Sequence, residues 1–262
     1  MKRALLLERF RAARRGYVDE DGRAVDVEYI DFYGYDTVDA LVAIAAFEAA
    51  LPRPFARVLA YGTVDVGTFV IVSEGNVVDA LRFLRHGRPP PGIPVCAARR
   101  CLWGAEVLED ARQLDPAGLR WATVGEVGFV DDGVVLRRPL ARPDARLRTR
   151  LRLITPEMVR GLPVTPAAHQ FTVASLLTEW ITRRLTFGAL GQLGIMEAVG
   201  AGTPVPPLRG RIHDDALLAV VERMLARDAD QRYPSCADAR AALQPFAVDD
   251  DALRSWLLAQ RP

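Results

Sequence analysis

The chain has 262 residues, half of them hydrophobic, and a formal net charge of +1. That length and apolar content suffice for a large core, while a near-neutral charge supplies no global field to draw nucleic acid or an anionic membrane. The longest apolar run, Ala40 to Leu51, is broken by Glu48 and is too short to span a bilayer. Glu8, Arg9 and Arg11 arrive after only three leucines, so the N-terminus does not read as a signal peptide. Cys96, Cys101 and Cys236 are odd in number and lack metal-like spacing, a pattern that points to structural thiols in a reducing cytoplasm.

From Leu5 to about Ile30 the pattern predicts a strand, a turn and two more strands. Asp39 to Leu51 reads as a helix, with Leu41, Ile44, Ala45 and Glu48 at helical spacing. Phe55–Gly62 and Thr68–Val72 are β-rich runs separated by Asp65-Val66-Gly67, a hairpin signal. Ser73 to Asn76 reads as a connection, Val77 to Leu84 as a short helix, and Arg88-Pro89-Pro90-Pro91-Gly92 as a break. Pro94 to Asp110 reads as a long amphipathic helix, and Phe129–Leu136 as a hairpin turning at Asp132-Gly133.

Between Arg137 and Arg152 stand seven arginines against one aspartate. Arg146, Arg148, Arg150 and Arg152 alternate with mostly apolar residues, one cationic face if the segment is a strand. The strongest helix signal follows. Thr165 is placed to cap it and Pro166 sits at the first helical position, where a missing N–H costs nothing. Val173, Leu176, Leu177, Trp180 and Ile181 share one wide apolar face, and the opposite face is largely uncharged, which predicts a central buried helix. Leu185 to Pro207, with five glycines and three prolines, reads as loop-rich. Asp214 is placed to cap a helix, Ser235 and Asp238 form a capping-box pattern, and Asp249 to Gln260 reads as a last short helix.

Three landmarks in order carry a family resemblance. Thr155-Pro156-Glu157, the helix after Pro166, and the block from Leu225 to Ser235 containing Arg227-Asp228 and Arg232-Tyr233-Pro234-Ser235 resemble the C-terminal lobe of bacterial Hanks-type serine/threonine protein kinases. The resemblance implies an α+β, two-lobed protein-kinase-like fold in one domain over 1–262. Its small β-rich N-lobe would cover 1–73 and its mostly helical C-lobe 74–262. It also implies that Glu157 and Arg232 form a structural ion pair joining the activation segment to the late helices.

The residues at the family's chemical positions differ. Phe10 to Val18 has the frame of the glycine-rich loop, with Arg11 and Ala13 at the first two glycine positions and Gly16 at the third. Gly22-Arg23-Ala24-Val25-Asp26-Val27-Glu28 resembles the strand that carries the phosphate-pairing lysine, and Glu28 occupies that lysine's position. Lys2 is the only lysine among 34 basic residues and Asn76 the only asparagine. A high-GC coding bias accounts for the preference for arginine, but not for losing a lysine that the chemistry requires. The partner glutamate's position falls near Ala43, with Glu48 as the alternative. The catalytic-loop frame puts Ala122 at the base, Val127 at the metal-binding asparagine and Pro139 at the metal-binding aspartate. His169 replaces an aspartate that ties the central helix to that loop, and a buried or loop-tethering role is favoured over a general base.

These replacements at Glu28, Ala122, Val127 and Pro139 lead to the expectation of a pseudokinase: not an enzyme, with no catalytic residues, no ATP binding, no cofactor and no metal. Such a protein would act in the cytoplasm as a scaffold or allosteric regulator through protein–protein interaction. Its partner would be a protein, an active kinase or that kinase's substrate being the first candidates, with no membrane. The candidate partner surface is Arg146, Arg148, Arg150 and Arg152. Nucleic acid is not expected, because one cationic stripe without interleaved aromatics is a weak footprint. Two alternatives stay open: an atypical nucleotide-dependent transferase, and an anion- or nucleic-acid-binding module using Arg137–Arg152.

Overall fold

The computed structural model of the chain describes residues 11–13, 16–31, 38–65, 68–75, 89–112, 127–130, 133–136, 154–162, 165–188 and 191–259. Strands β1 (Arg11–Ala13), β2 (Gly16–Val18), β3 (Ala24–Asp31), β4 (Val58–Asp65) and β5 (Thr68–Glu74) form one antiparallel sheet in the order β1-β2-β3-β5-β4. The turn from β2 to β3 is set by side-chain chemistry. The Asp19 carboxylate accepts from the backbone N–H groups of Asp21 and Arg23, and Gly22 takes the left-handed φ of +78° that a β-carbon would resist.

Helix α1 (Val38–Ala50) covers one face of the sheet, where Leu41 and Ala45 meet Phe69 and Ile71. Val25, Val64, Val70 and Val72 are buried together in a separate cluster. Strand β5 thus buries consecutive side chains on both faces, which explains its unbroken apolar run Phe69-Val70-Ile71-Val72. The hairpin closes between Asp65 and Thr68, where the spacing predicts it.

The remainder is mostly helical: α2 (Gly92–Arg112), α3 (Pro156–Val159), α4 (Pro166–Thr182), α5 (Gln192–Ala201), α6 (Asp215–Met224), α7 (Cys236–Ala242) and α8 (Asp250–Ala259), with a small hairpin of β6 (Val127–Val130) and β7 (Gly133–Leu136). Helix α4 is central, as its pattern predicts. Every residue from Ala168 to Trp180 is buried, and the main core gathers around it. Polar groups inside so apolar a site need partners. The Thr178 hydroxyl donates back to the Ala174 carbonyl at 2.9 Å, and the Gln170 amide bridges the Tyr233 backbone, donating to its carbonyl and accepting from its N–H. Thr186 reaches back to donate to the Ser175 carbonyl at 2.8 Å.

Two local readings need correction. Thr165 holds the N-cap backbone conformation of α4, but its hydroxyl makes no capping bond; the Ala168 N–H goes to the Thr165 carbonyl at 2.9 Å instead. The stretch from Leu185 to Pro207 is not simply loop, because it contains α5. Its glycines mark close packing and a stop. A β-carbon on Gly200 would sit 3.1 Å from Val159 Cγ1, and Gly202 ends the helix at φ +64° with its N–H bonded back to the Val199 carbonyl. Asp214 and Ser235 cap α6 and α7 through their side chains. Among the described residues no helix is long and apolar enough to cross a membrane.

Candidate functional site

The positions singled out in the sequence fall in two places. Glu28 lies in β3 at the register position opposite Ile71, with Asp26 opposite Ser73. Ile71, on β5, packs with Leu41 and Ala45 of α1. On α1, Leu41 and Ala45 face the sheet while Ala43 is exposed. Val127 opens β6 opposite Leu136. Ala122, Pro139, Arg146, Arg148, Arg150 and Arg152 lie outside the described residues, as do the segments 76–88 and 137–153.

Pattern reasoning missed Ser73 on the same sheet. It is buried, and its hydroxyl has no hydrogen-bond partner among the described residues. A serine that continues an apolar strand gives no periodicity signal, so nothing in the residue order sets it apart. An unsatisfied buried hydroxyl beside the end of β5 is a place where an added polar group would be stabilised.

The second place is the junction of α3, α4 and the turn after α6. Arg232 Nη1 stands 2.7 Å from Glu157 Oε1, with side-chain exposures of 0% and 7%. The guanidinium is also held by main-chain oxygens: Nε donates to Ala226 at 2.8 Å, Nη1 to Ala167 at 2.7 Å and Nη2 to Arg227 at 3.2 Å. The Phe171 ring lies under it with the guanidinium carbon 5.2 Å from the centroid. Burial pulls the Arg232 pKa below its ordinary value, while the Glu157 charge and hydrogen bond push it back up. Glu157 is placed by Thr155, whose hydroxyl caps the short helix α3 at Met158 N. One arginine therefore ties three chain segments together, and removing either charge would strand the other.

His169 is buried on α4. Cys96, Cys101 and Cys236 are all free and buried, and burial is the main cause that raises each thiol to about 12, so none is a thiolate near neutral pH. Among the described residues no group of three or more His, Cys, Asp or Glu side chains could hold a metal ion.

No protein-family model and no curated protein matches the chain. Solved structures do. The chain is similar to the crystal structure of Rad53 1-466 in complex with AMP-PNP, with a TM-score of 0.69 and 16% identity, over 92% of this chain. It spans 66% of that chain's length. The likeness corrects one expectation, that the chain is not an enzyme. The structure it resembles was solved in complex with AMP-PNP, and the fold is kept with Glu28 and Val127 in their strands, so the fold itself gives no evidence of inactivity. At this level of identity the likeness speaks for the backbone arrangement alone, and on that ground the chain has a protein-kinase-like fold.

Proposed function

We propose that the chain is a protein-kinase-like module that acts on a protein partner through its surface, as a scaffold or allosteric regulator. The observation that carries this reading is on α5, where Leu193 is 77% exposed and Met196 37% exposed, three residues apart on one helix. Large apolar side chains left open on one face of a helix whose other face is packed suit a protein contact. The junction around Arg232 gives that contact a firm base, because Gly200 of α5 packs against the Val159 side chain of α3. The arginines 146, 148, 150 and 152 are the second candidate contact, on the strength of their alternation in the sequence. Affinity capture from native lysate, followed by reciprocal capture with the tagged partner, tests the reading: a stoichiometric partner supports it and the absence of one contradicts it.

A second reading is favoured by the AMP-PNP in the similar structure: an atypical nucleotide-dependent transferase. With Glu28 at the strand position, a nucleotide's phosphates would be neutralised by residues other than a strand lysine. A melting temperature raised by several degrees with millimolar ATP–Mg²⁺, together with phosphoryl transfer by the purified chain, would support it. An unchanged melting curve would count against it.

A further inference from the structure

The connection from α1 to β4, Leu51 to Arg57, is fastened to two parts of the molecule by two kinds of chemistry. Toward the helices the fastening is apolar and main-chain. Phe55 is 1% exposed and joins Leu51 and Leu136 in the main core. The Leu136 N–H donates to the Pro54 carbonyl at 2.7 Å, and the Ala56 N–H to the Leu136 carbonyl at 2.9 Å, which lays the segment beside the end of β7. Among the described residues these are the only hydrogen bonds that pass between residues 11–75 and the later chain. The two apolar clusters of the sheet contain no residue of the segment.

Toward the sheet the fastening is largely ionic. Glu74 ends β5, and its Oε1 accepts from Arg53 Nη1 at 2.6 Å and from the Arg57 N–H at 2.8 Å. Its Oε2 lies 3.8 Å from Arg57 Nε, and its N–H donates to the Arg57 carbonyl at 2.9 Å. The side chains of Arg53, Arg57 and Glu74 are 45%, 70% and 17% exposed, so water and salt reach this cluster. The Glu157–Arg232 pair, at 7% and 0%, is the opposite case. Breaking that pair strands a charge out of water, whereas here each separated charge is solvated, and the hold is correspondingly weak and reversible. Where the segment runs into β4 the register with β5 slips between Val58 and Ala60, an irregularity at which a strand bends.

We propose that Glu74, Arg53 and Arg57 form a releasable ionic latch: closed, it couples α1 and the sheet to the main core, and open, it lets them move as a unit of their own. The asymmetry of the two fastenings carries the proposal. The segment stays with the core in both states, because Phe55 and Leu136 remain buried, so the Glu74 side is the one that lets go. Opening costs neither a buried charge nor the Phe55 packing, and the two states lie close enough in free energy for a ligand on either part to shift the balance. The latch depends on neither reading of what the chain binds.

Native-state hydrogen exchange of the full chain, read by mass spectrometry, tests it. In Glu74→Ala the amides of α1, β4 and β5 exchange about threefold faster or more, while those of α4 keep their wild-type rates. Sodium chloride at about 1 M, where charges are screened beyond about 3 Å, produces the same selective change in the wild type. Glu106→Gln breaks a comparably exposed pair, with Arg240, inside the helical part and leaves the sheet amides unchanged. Should Glu74→Ala fail to fold, Arg53→Gln with Arg57→Gln opens the latch from its exposed side and is held to the same result. A smaller change in the sheet, an equal change in α4, a sheet indifferent to salt, or a sheet loosened as much by Glu106→Gln would each overturn the proposal.

Discussion

Replacing Glu157 with alanine isolates the Arg232 junction. Among the described residues, the substitution removes the only carboxylate within ion-pair distance of a guanidinium that has no exposed side-chain surface. Breaking one partner of a buried pair costs about 3–5 kcal/mol, because the remaining charge stays out of water. The three main-chain oxygens and the Phe171 ring still hold Arg232 in the variant, which argues for the lower end, about 3 kcal/mol. For a chain of this size each kcal/mol shifts the midpoint by about 2–4 °C, so calorimetry should show a fall of roughly 6–12 °C. Urea unfolding gives the free energy independently. Glu157→Gln keeps an acceptor and loses only the charge, so it should fall less. Replacing both partners, Glu157→Leu with Arg232→Met, should recover part of the loss, since no charge is then left unpaired. A Glu157→Ala variant melting within about 2 °C of the parent would refute the reasoning, because it would mean that the cation is already fully satisfied by carbonyls.

Gly202→Ala should destabilise by about 2 kcal/mol or more, because it forces a β-carbon into the left-handed region at φ +64° and within 2.9 Å of Arg227 Cα; thermal unfolding reads it. Ellman's reagent should find no fast-reacting thiol in the native protein and three after guanidinium. The thiol pKa values are raised from 9.0 to about 12 in the fold, so the stability they contribute is complete below pH 9 and is lost as pH rises toward about 12; a melting temperature that does not fall over that window would contradict the burial. Replacing Arg146, Arg148, Arg150 and Arg152 with serine should leave the melting curve unchanged and weaken partner capture with a shallower salt response, as measured by affinity capture at several ionic strengths.

The parts of the fold that read plainly from the residues are those where local chemistry and long-range packing agree. Helix α4 is one: Pro166 starts it, Val173, Leu176, Leu177 and Trp180 set its face, and the core closes on that face. Strand β5 is another, since four consecutive apolar side chains can all be buried only in a strand covered on both faces. Helix α5 hid behind its glycines, because Gly200 and Gly202 look like loop residues until Val159 and Arg227 are seen beside them. The meeting of Glu157 with Arg232 leaves no trace in periodicity; only the family resemblance of the flanking motifs links two residues so distant in the chain. Arg211 reads as one more surface arginine, and its bonds to the Arg184 and Leu185 carbonyls become visible only in three dimensions. The orphan hydroxyl of Ser73 likewise depends on what surrounds it rather than on its neighbours in sequence. The replacements read at Glu28 and Val127 leave the protein-kinase-like fold in place.

Capture from native lysate with the tagged full chain, quantified against the bait by mass spectrometry and repeated with the partner as bait, tests the central claim most directly. The account predicts one protein retained near stoichiometry in both directions, with retention that falls as salt rises. No protein retained near stoichiometry, alongside ATP–Mg²⁺-dependent phosphoryl transfer by the purified chain, would contradict it.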